Sequence, residues 1–508
     1  MNTSILRYLE YDALNHPDRA ALADENRQLT YREYLLSAQT IGTYLAANIT
    51  KGQMRRPIVV LIDRNVYSVL AFMGCLYSGN FYVPVDATMP AERIRLILET
   101  ASPLCILDAR EAGKPWNGAI RVVDILEDGS LDSELMKFIQ GQVIDADPLY
   151  AIFTSGSTGI PKGVLISHRS ALNMTESFGE AFGFDDDLVF GNQAPFDFDV
   201  SVKDIYNSLR CGARLEIIPK RLFMLPKLLI EYLNERTVNI LIWAVSALRI
   251  VANFKTLDSI DTLPRFKFIM FSGEVMPVKV LNYWKDHVPS ARYVNLYGPT
   301  EITCNCTYYE VTRRYEDAES LPIGRALPNY RVFLRDEAGK ILNQPNVVGE
   351  ICVEGAGVAL GYWNDPERTQ QAFIQNPLAT GYRSTVYATG DMAYYAEDGN
   401  LVFASRKDYQ IKHMGHRIEL GEIETALNAI PFMDVACCLY NTVDEKIVCF
   451  YQSSNQNVKD IVAELGKYLP KYMWPNQYVH MEQMPLNKNG KVDRQLLNKQ
   501  LYSQGTVQ

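Results

Sequence analysis

The stretch FTSGSTGIPKGVLISH, residues 153–168, gathers Thr154, Ser155, Ser157 and Thr158 with Gly156, Gly159 and Lys162 between two runs of β-formers. Such a loop cannot build a core, so it must hold something. Its glycines let backbone amides approach a ligand closely. Lys162 adds a point charge. Together these groups suit an anionic phosphate chain. The Walker pattern fails, because Pro161 stands where its second glycine belongs and Gly163 where its hydroxyl belongs. The loop is either a phosphate cradle of another kind or a polar turn.

Three more clusters carry chemistry-bearing residues. NLYGPTE (295–301) sets a Gly298-Pro299 turn before the carboxylate of Glu301. YATGD (387–391) ends on Asp391, and SRKDYQIKHMGHRIELGEIE (405–424) follows it. NKNGKVDR (487–494) puts Lys491 in a tight turn near the C-terminus. Only six histidines are present, none in a nucleophile motif, so hydrolase chemistry has little support. Cys304-Asn305-Cys306 invites a metal reading, but no second Cys or His pair stands at zinc-site spacing. Two thiols in or near a packed strand explain it better.

The elements that must position these residues read as α/β. RPIVVLID (56–63), YVPVD (82–86), LCILD (104–108), NILIWAV (239–245) and FKFIMFSG (266–273) are short apolar runs that predict buried strands. VYSVLAFMGCLYSG and PKLLIEYLNE repeat apolar residues at helical spacing between them. This alternation predicts stacked parallel α/β sheets in a large N-terminal domain. After about residue 320, RVFLRDEAGK, GEICVEGAG and GNLVFASR predict a β-rich subdomain. From about residue 409 a small α+β domain follows. The expected division is 1–407 and 408–508. At the start, Leu6, Leu9 and Leu14 among Arg7, Glu10 and Asp12 predict an amphipathic helix rather than a signal peptide.

The totals exclude several classes. The chain has 508 residues, too many for one ordinary core. Net charge is −9 without a basic stripe, which argues against nucleic acid. No apolar run reaches membrane-spanning length. Nine scattered cysteines, an odd number, fit reduced thiols in the cytoplasm.

Taken in order along the chain, these motifs resemble the adenylate-forming enzymes, specifically the adenylation domains of nonribosomal peptide synthetases and the D-alanine–carrier-protein ligases. LTYREYL (29–35), YSGNFYVPVD (77–86), GEICVEGAGVALGYW (349–363) and LPKYMWP (469–475) extend the resemblance over almost the whole length. It implies that a carboxylic acid and ATP give an acyl-adenylate and pyrophosphate, after which a thiol takes the acyl group. A carboxylate is already ionised at neutral pH, so no general base is needed. Catalysis is then mostly positioning and electrostatics.

By the same resemblance, the loop from Thr154 to Lys162 holds the β- and γ-phosphates, and Glu301 binds Mg2+. Asn295, Tyr297 and Gly298 meet the nucleotide, with Asn295 and Tyr297 on the adenine. Thr300 contacts the α-phosphate, and Asp391 the ribose hydroxyls, with Arg406 nearby. Lys491 matches the lysine that touches both α-phosphate and substrate carboxylate. Asp408 stands at the hinge about which the small mobile domain swings. Two positions depart from the family pattern: Ser405 replaces a usual Gly and Leu360 a usual Arg.

NQAPFDFDVSVKDIYNSL (192–209) bears on which acid is activated. Asp199 matches the aspartate that holds the α-ammonium of an amino acid; the bland alternative is a helix cap. Acyl-CoA ligases have no such need. The rest of the pocket, carried over by position, is Val200, Lys203, Trp243, Met270, Ser272, Leu296, Cys304 and Asn305. Lys203 either pairs with an acidic substrate side chain, forms an ion pair with Asp199 four residues earlier, or snorkels past Trp243. FSGEVMPV (271–278) is especially close to the D-alanine–carrier-protein ligases, which makes that activity one alternative; an acyl-CoA ligase is the other, and Asp199 argues against it. No segment after Lys491 resembles a carrier domain, so the expected acceptor is a separate phosphopantetheinylated carrier protein.

Overall fold

A computed structural model of the chain describes residues 3–111, 113–156, 160–316, 319–407, 410–486 and 492–503. The chain packs into two units. Met1–Asp86, Ala101–Ile152 and Gly163–Lys407 form the first; Ala87–Thr100, Phe153–Lys162 and Asp408–Gln508 form the second.

The first unit rests on apolar strands that are buried on both faces. Ile240–Ala244 and Phe268–Ser272 have every residue buried. Successive side chains leave a strand on opposite faces. Accordingly Ile240, Ile242, Phe268 and Met270 join one core, while Leu241, Trp243, Ile269 and Phe271 join another. Only a parallel sheet covered by helices on each side satisfies such strands. They lie in a nine-stranded sheet ordered Arg325–Ala326, Thr307–Glu310, Arg292–Tyr297, Phe268–Ser272, Ile240–Ala244, Val189–Asn192, Arg214–Ile217, Ala20–Ala23, Gln28–Thr30. Its interior pairs are parallel and its outer pairs antiparallel.

A seven-stranded sheet is ordered Gly361–Tyr362, Lys162–Ser167, Pro148–Thr154, Phe81–Asp86, Pro57–Ile62, Ile106–Asp108, Ile120–Arg121. A six-stranded, largely antiparallel sheet built from Tyr330–Arg335, Gly349–Gly355, Thr385–Tyr395 and their neighbours is the β-rich subdomain. In the second unit a hairpin, Gln410–His413 with His416–Glu419, precedes the helix Leu420–Asn428. A three-stranded sheet, Met433–Asn441, Lys446–Ser453 and Gln477–His480, follows. The architecture is the expected α/β class with a small α+β part.

Helix starts follow local chemistry. Thr30 and Glu33 form a capping box before Tyr31–Tyr44. Asn65 caps Val66–Tyr77 by accepting the Ser68 amide at 3.1 Å. The helix Leu6–Asn15 buries Leu6 and Leu9 but leaves Leu14 exposed. Five residues on from Leu9, Leu14 lies about 140° around the helix and misses the core.

His168, the first residue of the helix His168–Phe182, is buried, and its Nδ1 accepts the Ile5 amide at 3.3 Å. That bond requires an unprotonated ring nitrogen. Burial pushes the imidazole down to about 4, against the charges of Asp147 and Asp145. Below about pH 6.5 the unfolded chain takes up a proton that the folded one refuses until about pH 4. This residue's contribution to stability is therefore lost as pH falls through that window, by about 3 kcal/mol. The stability gap between wild type and His168→Gln, from denaturant melts at pH 7 and pH 4, will move by about that amount in the variant's favour on acidification. Parallel pH profiles would contradict a buried neutral imidazole.

Candidate active site

The strand Arg292–Tyr297 delivers Asn295, Leu296 and Tyr297, and the chain then turns through Gly298 and Pro299 into the short helical turn Thr300–Ile302. Gly298 has a steric reason: a Cβ there would lie 2.6 Å from the Cys304 carbonyl and 2.7 Å from Asn305 Cα. Thr303 and Cys304 both take left-handed backbone (φ 60° and 75°), which reverses the chain just after Glu301. The Thr303 hydroxyl fixes this reversal by donating to the Gly357 carbonyl at 2.7 Å.

Tyr297 is buried and its hydroxyl donates to Asp391 Oδ2 at 2.5 Å. Burial first, then the Asp391 charge, pushes the phenol far above its ordinary range. The guanidinium of Arg406 holds the other carboxylate oxygen, Oδ1. Strand pairing enforces this, since Asp391 and Arg406 are direct cross-strand partners. Asn295 donates its side-chain amide to the Pro322 carbonyl at 2.8 Å. Ser405 sits in the same ladder opposite Met392, and Leu360 is exposed.

Thr300 and Glu301 are buried. The Glu301 backbone carbonyl accepts the Ala359 amide at 2.9 Å, and its Oε1 accepts the Tyr362 hydroxyl at 2.8 Å. A single braced carboxylate suits Mg2+, which takes one or two carboxylates and completes its shell with phosphate oxygens and water. Among the described residues no three His, Cys, Asp or Glu side chains gather into a protein-only metal cage. Cys304 and Cys306 are buried and form no disulfide, and the strand Thr307–Glu310 begins right after Cys306.

Asp199 is the N-cap residue of the helix Val200–Cys211, yet its side chain accepts none of the first-turn amides. Burial pushes the Tyr150 phenol well above its ordinary range, and Tyr82 and the Asp199 charge push the same way. Lys203 is fully buried and donates to Ser272 Oγ at 3.0 Å. Met270, Ser272 and Leu296 leave their strands on one face, because Met270 stands opposite Val294 in the register. Trp243 does not join them. It stands opposite Phe271, packs edge-on to Phe223 and donates its indole N–H to the Gly191 carbonyl at 2.7 Å. It belongs to the core on the other side of the sheet. Val200 is buried. Asn305 is buried with neither its amide oxygen nor its amide nitrogen hydrogen-bonded. Such an orphaned group needs an explanation, and a bound ligand is one.

Several supporting residues had no role from the sequence. Tyr362 lies in the quoted GEICVEGAGVALGYW, but its bond to Glu301 spans 61 positions. Arg64, just past the strand Pro57–Ile62, donates to the carbonyls of Asn192, Gln193 and Ile218. Asn192 in turn donates to the buried Asp204 at 3.0 Å. Burial pushes the Asp204 carboxyl up to about 7, opposed by that bond and by the charges of Lys203 and Arg64. The available signal was a charged residue at the carboxyl end of a parallel strand, where ligand sites concentrate.

In the second unit, the glycine-serine loop leaves the strand ending at Thr154 and enters the one starting at Lys162. Thr154 Oγ1 is buried without a hydrogen bond, and Lys162 is buried. Ser155 Oγ donates to the Arg417 carbonyl at 2.7 Å and accepts the Glu419 amide at 3.2 Å. Ser157, Thr158, Gly159, Asp408 and Lys491 lie outside the described residues.

A profile of the AMP-binding enzyme family matches residues 9–363. Bacitracin synthase 1 of Bacillus licheniformis is 34% identical over 506 residues, covering 98% of this chain and 9% of that protein. The D-alanine--D-alanyl carrier protein ligase of Listeria monocytogenes is 34% identical over 523 residues, covering 99% of this chain and 100% of that one. The solved structure of holo-PA1221, an NRPS protein containing adenylation and PCP domains bound to vinylsulfonamide inhibitor, aligns with TM-score 0.84 at 26% identity, covering 98% and 84% of the two chains. The chain thus spans a small part of some relatives and all of others. No helix among the described residues is long and apolar enough to cross a membrane.

Proposed function

Because this chain belongs to the AMP-binding enzyme family, we propose that it activates an amino acid as its adenylate and passes the aminoacyl group to the phosphopantetheine thiol of a carrier protein. A carboxylate oxygen attacks the α-phosphorus of ATP, the bond to the β-phosphate breaks and pyrophosphate leaves. The thiol sulfur then attacks the acyl carbonyl, its proton is lost and AMP leaves.

The observation that carries this reading is one continuous stretch. Between Asn295 and Glu301 the chain presents a buried tyrosine braced on a carboxylate, then a glycine turn, then Thr300 and a second buried carboxylate. An ionised carboxylate offers about four acceptor sites. Tyr297 and Arg406 use two on Asp391, and two remain to meet the vicinal hydroxyls of a ribose. Tyr297 and Asn295 flank the base. Thr300 meets the α-phosphate and the loop from Thr154 to Lys162 the β- and γ-phosphates. Glu301, oriented by Tyr362, would hold Mg2+, which offsets negative charge on the phosphate oxygens when bound. Lys491 sets a cation between the two reacting anions, and Asp408 serves as the hinge between residues 1–407 and a mobile 408–508. The nine cysteines are free thiols, which fits a reducing compartment such as the cytoplasm.

Asp199, at the N-terminus of the helix Val200–Cys211, takes the α-ammonium. Lys203 and Asn305 favour an acidic side chain: a buried ammonium and an unpaired amide both lie at positions that the pocket inherits. A second reading, a D-alanine–carrier-protein ligase, is favoured by the full-length match to such enzymes.

Amino-acid-dependent pyrophosphate exchange over a broad panel, D-alanine included, separates these readings. With an acidic substrate, Lys203→Ala will lower kcat/KM about 30-fold or more while neutral substrates change little. If acidic amino acids never lead the panel, the pairing with Lys203 is wrong; if D-alanine leads, the second reading holds. If no amino acid in the panel supports exchange, the activity itself is overturned.

A further inference from the structure

The second unit holds two facing thiols that the proposed chemistry does not use. In the antiparallel pair Met433–Asn441 and Lys446–Ser453, Cys438 stands directly opposite Cys449. Both join one core with Ile423, Leu427 and Ile461, so they leave the sheet on the same face. Both are buried. Cys437 leaves on the other face, with Leu439 and Phe450. Among the described residues no other register partners are both cysteine.

Backbone bonds show which kind of pair this is. Opposed residues in an antiparallel ladder alternate between pairs that exchange both hydrogen bonds and pairs that exchange none. The Cys438 amide donates to Glu424 Oε1 at 2.6 Å, and the Cys438 carbonyl accepts Arg494 Nη1 at 3.1 Å. Both groups therefore point away from Lys446–Ser453. Two residues earlier Ala436 does the same, its amide donating to Asn428 Oδ1 at 2.7 Å. On the partner strand, two residues before Cys449, the Ile447 amide also turns outward, to Asn476 Oδ1 at 2.8 Å. Cys438 and Cys449 are thus a non-hydrogen-bonded pair. Such pairs bring their Cα atoms to about 4.5 Å. A disulfide spans roughly 4.4–6.8 Å, so this pair falls inside the range and near its short end. A bond made at that limit is strained and more easily reduced than a structural bridge.

We propose that Cys438 and Cys449 are a redox modification site, which closes into a cross-strand disulfide under oxidising load and reopens when reductant returns. The co-reactant is a low-molecular-weight disulfide such as glutathione disulfide. One cysteine gives its proton to water, and its thiolate attacks that disulfide. One glutathione leaves and is protonated. The other cysteine, also deprotonated, attacks the mixed disulfide and releases the second glutathione. The cysteine pair loses two electrons and two protons, and glutathione disulfide gains them.

Burial decides when this happens. The facing Cys449 thiol first, then burial, pushes the Cys438 thiol well above its ordinary range, so it stays protonated while the sheet is closed. Met433–Asn441 is an edge strand. At Cys438 its outer side is held by Glu424 and Arg494, which also pair with each other. Opening this edge bares the thiols, and local openings of that kind cost less than global unfolding. Closure of the disulfide then pins the edge strand to its neighbour.

The folded full chain is incubated in glutathione buffers of graded ratio, quenched with acid, unfolded, alkylated and digested for mass spectrometry. With glutathione disulfide in excess, two of the nine thiols will escape alkylation, and one peptide pair will join Cys438 to Cys449. With reduced glutathione in excess, all nine will alkylate. Cys437→Ser will keep the link, and Cys449→Ser will abolish it. Four results would each overturn the inference: every thiol alkylated in the most oxidising buffer, glutathione adducts that never resolve, a link through Cys437 or another cysteine, or a bridge that survives excess reduced glutathione. Wild type alone yields all four readings, so none depends on a variant that folds.

Discussion

Replacing Lys491 with alanine will slow acyl-adenylate formation by about 10²- to 10³-fold, the loss typical of removing one group that stabilises transition-state charge. The reaction joins a carboxylate to a polyanion, and their repulsion is largest as the reacting oxygen nears phosphorus. A cation placed between them acts where charge grows. No general base is needed in this chemistry, so the proposed role of Lys491 is electrostatic. Leu486 and Val492, which flank the segment 487–491, are bridged to one another. Alanine at 491 is therefore expected to leave the melting temperature within a degree or two. The second half-reaction brings a thiol to a carbonyl and joins no pair of anions. Transfer from preformed aminoacyl-adenylate to the carrier should then stay near wild type. Pyrophosphate exchange and single-turnover transfer check the two halves. Wild-type exchange in the variant would remove the electrostatic basis of the proposed mechanism.

The sequence told unequal amounts about different residues. Strands such as Phe268–Ser272 were legible because a run buried on both faces can be little else in a chain that alternates with amphipathic helices. The family was legible for another reason: many weak motifs occur in order over the whole length, and the profile over residues 9–363 agrees. Trp243 shows where that stops. It was placed in the pocket by position alone, and in the run Ile240-Leu241-Ile242-Trp243 every residue is apolar, so the pattern does not say which face is which. Register decided it, and register comes from partners tens of residues away. Lys203 is similar. The sequence offered Asp199, four residues back, but the bond made is to Ser272, 69 positions on. Local spacing lists possible partners; packing chooses among them.

Asp391 yields the other large effect, and two substitutions divide it. Its carboxylate is buried with one oxygen on Arg406 and the other on Tyr297, and both partners lie largely out of water. Asp391→Ala strands a guanidinium and a phenol, which is expected to cost about 3–5 kcal/mol of stability, the range for breaking a buried pair from one side. Asp391→Asn keeps the shape and one acceptor oxygen for Arg406, so the cost in stability should be well under that. Yet a carboxamide has too few acceptors to satisfy Arg406 and a ribose together. If Asp391 binds the nucleoside, ATP affinity in Asp391→Asn will fall about 10- to 100-fold, the loss of one or more hydrogen bonds to a charged group. Denaturant melts report the first effect and calorimetric ATP titration the second. The two readouts separate the roles: a purely structural aspartate would weaken folding in the alanine variant and leave ATP affinity intact in the asparagine one. A folded Asp391→Asn that binds ATP as wild type does would confine Asp391 to bracing Arg406 and Tyr297, and the ribose contact would have to be sought elsewhere.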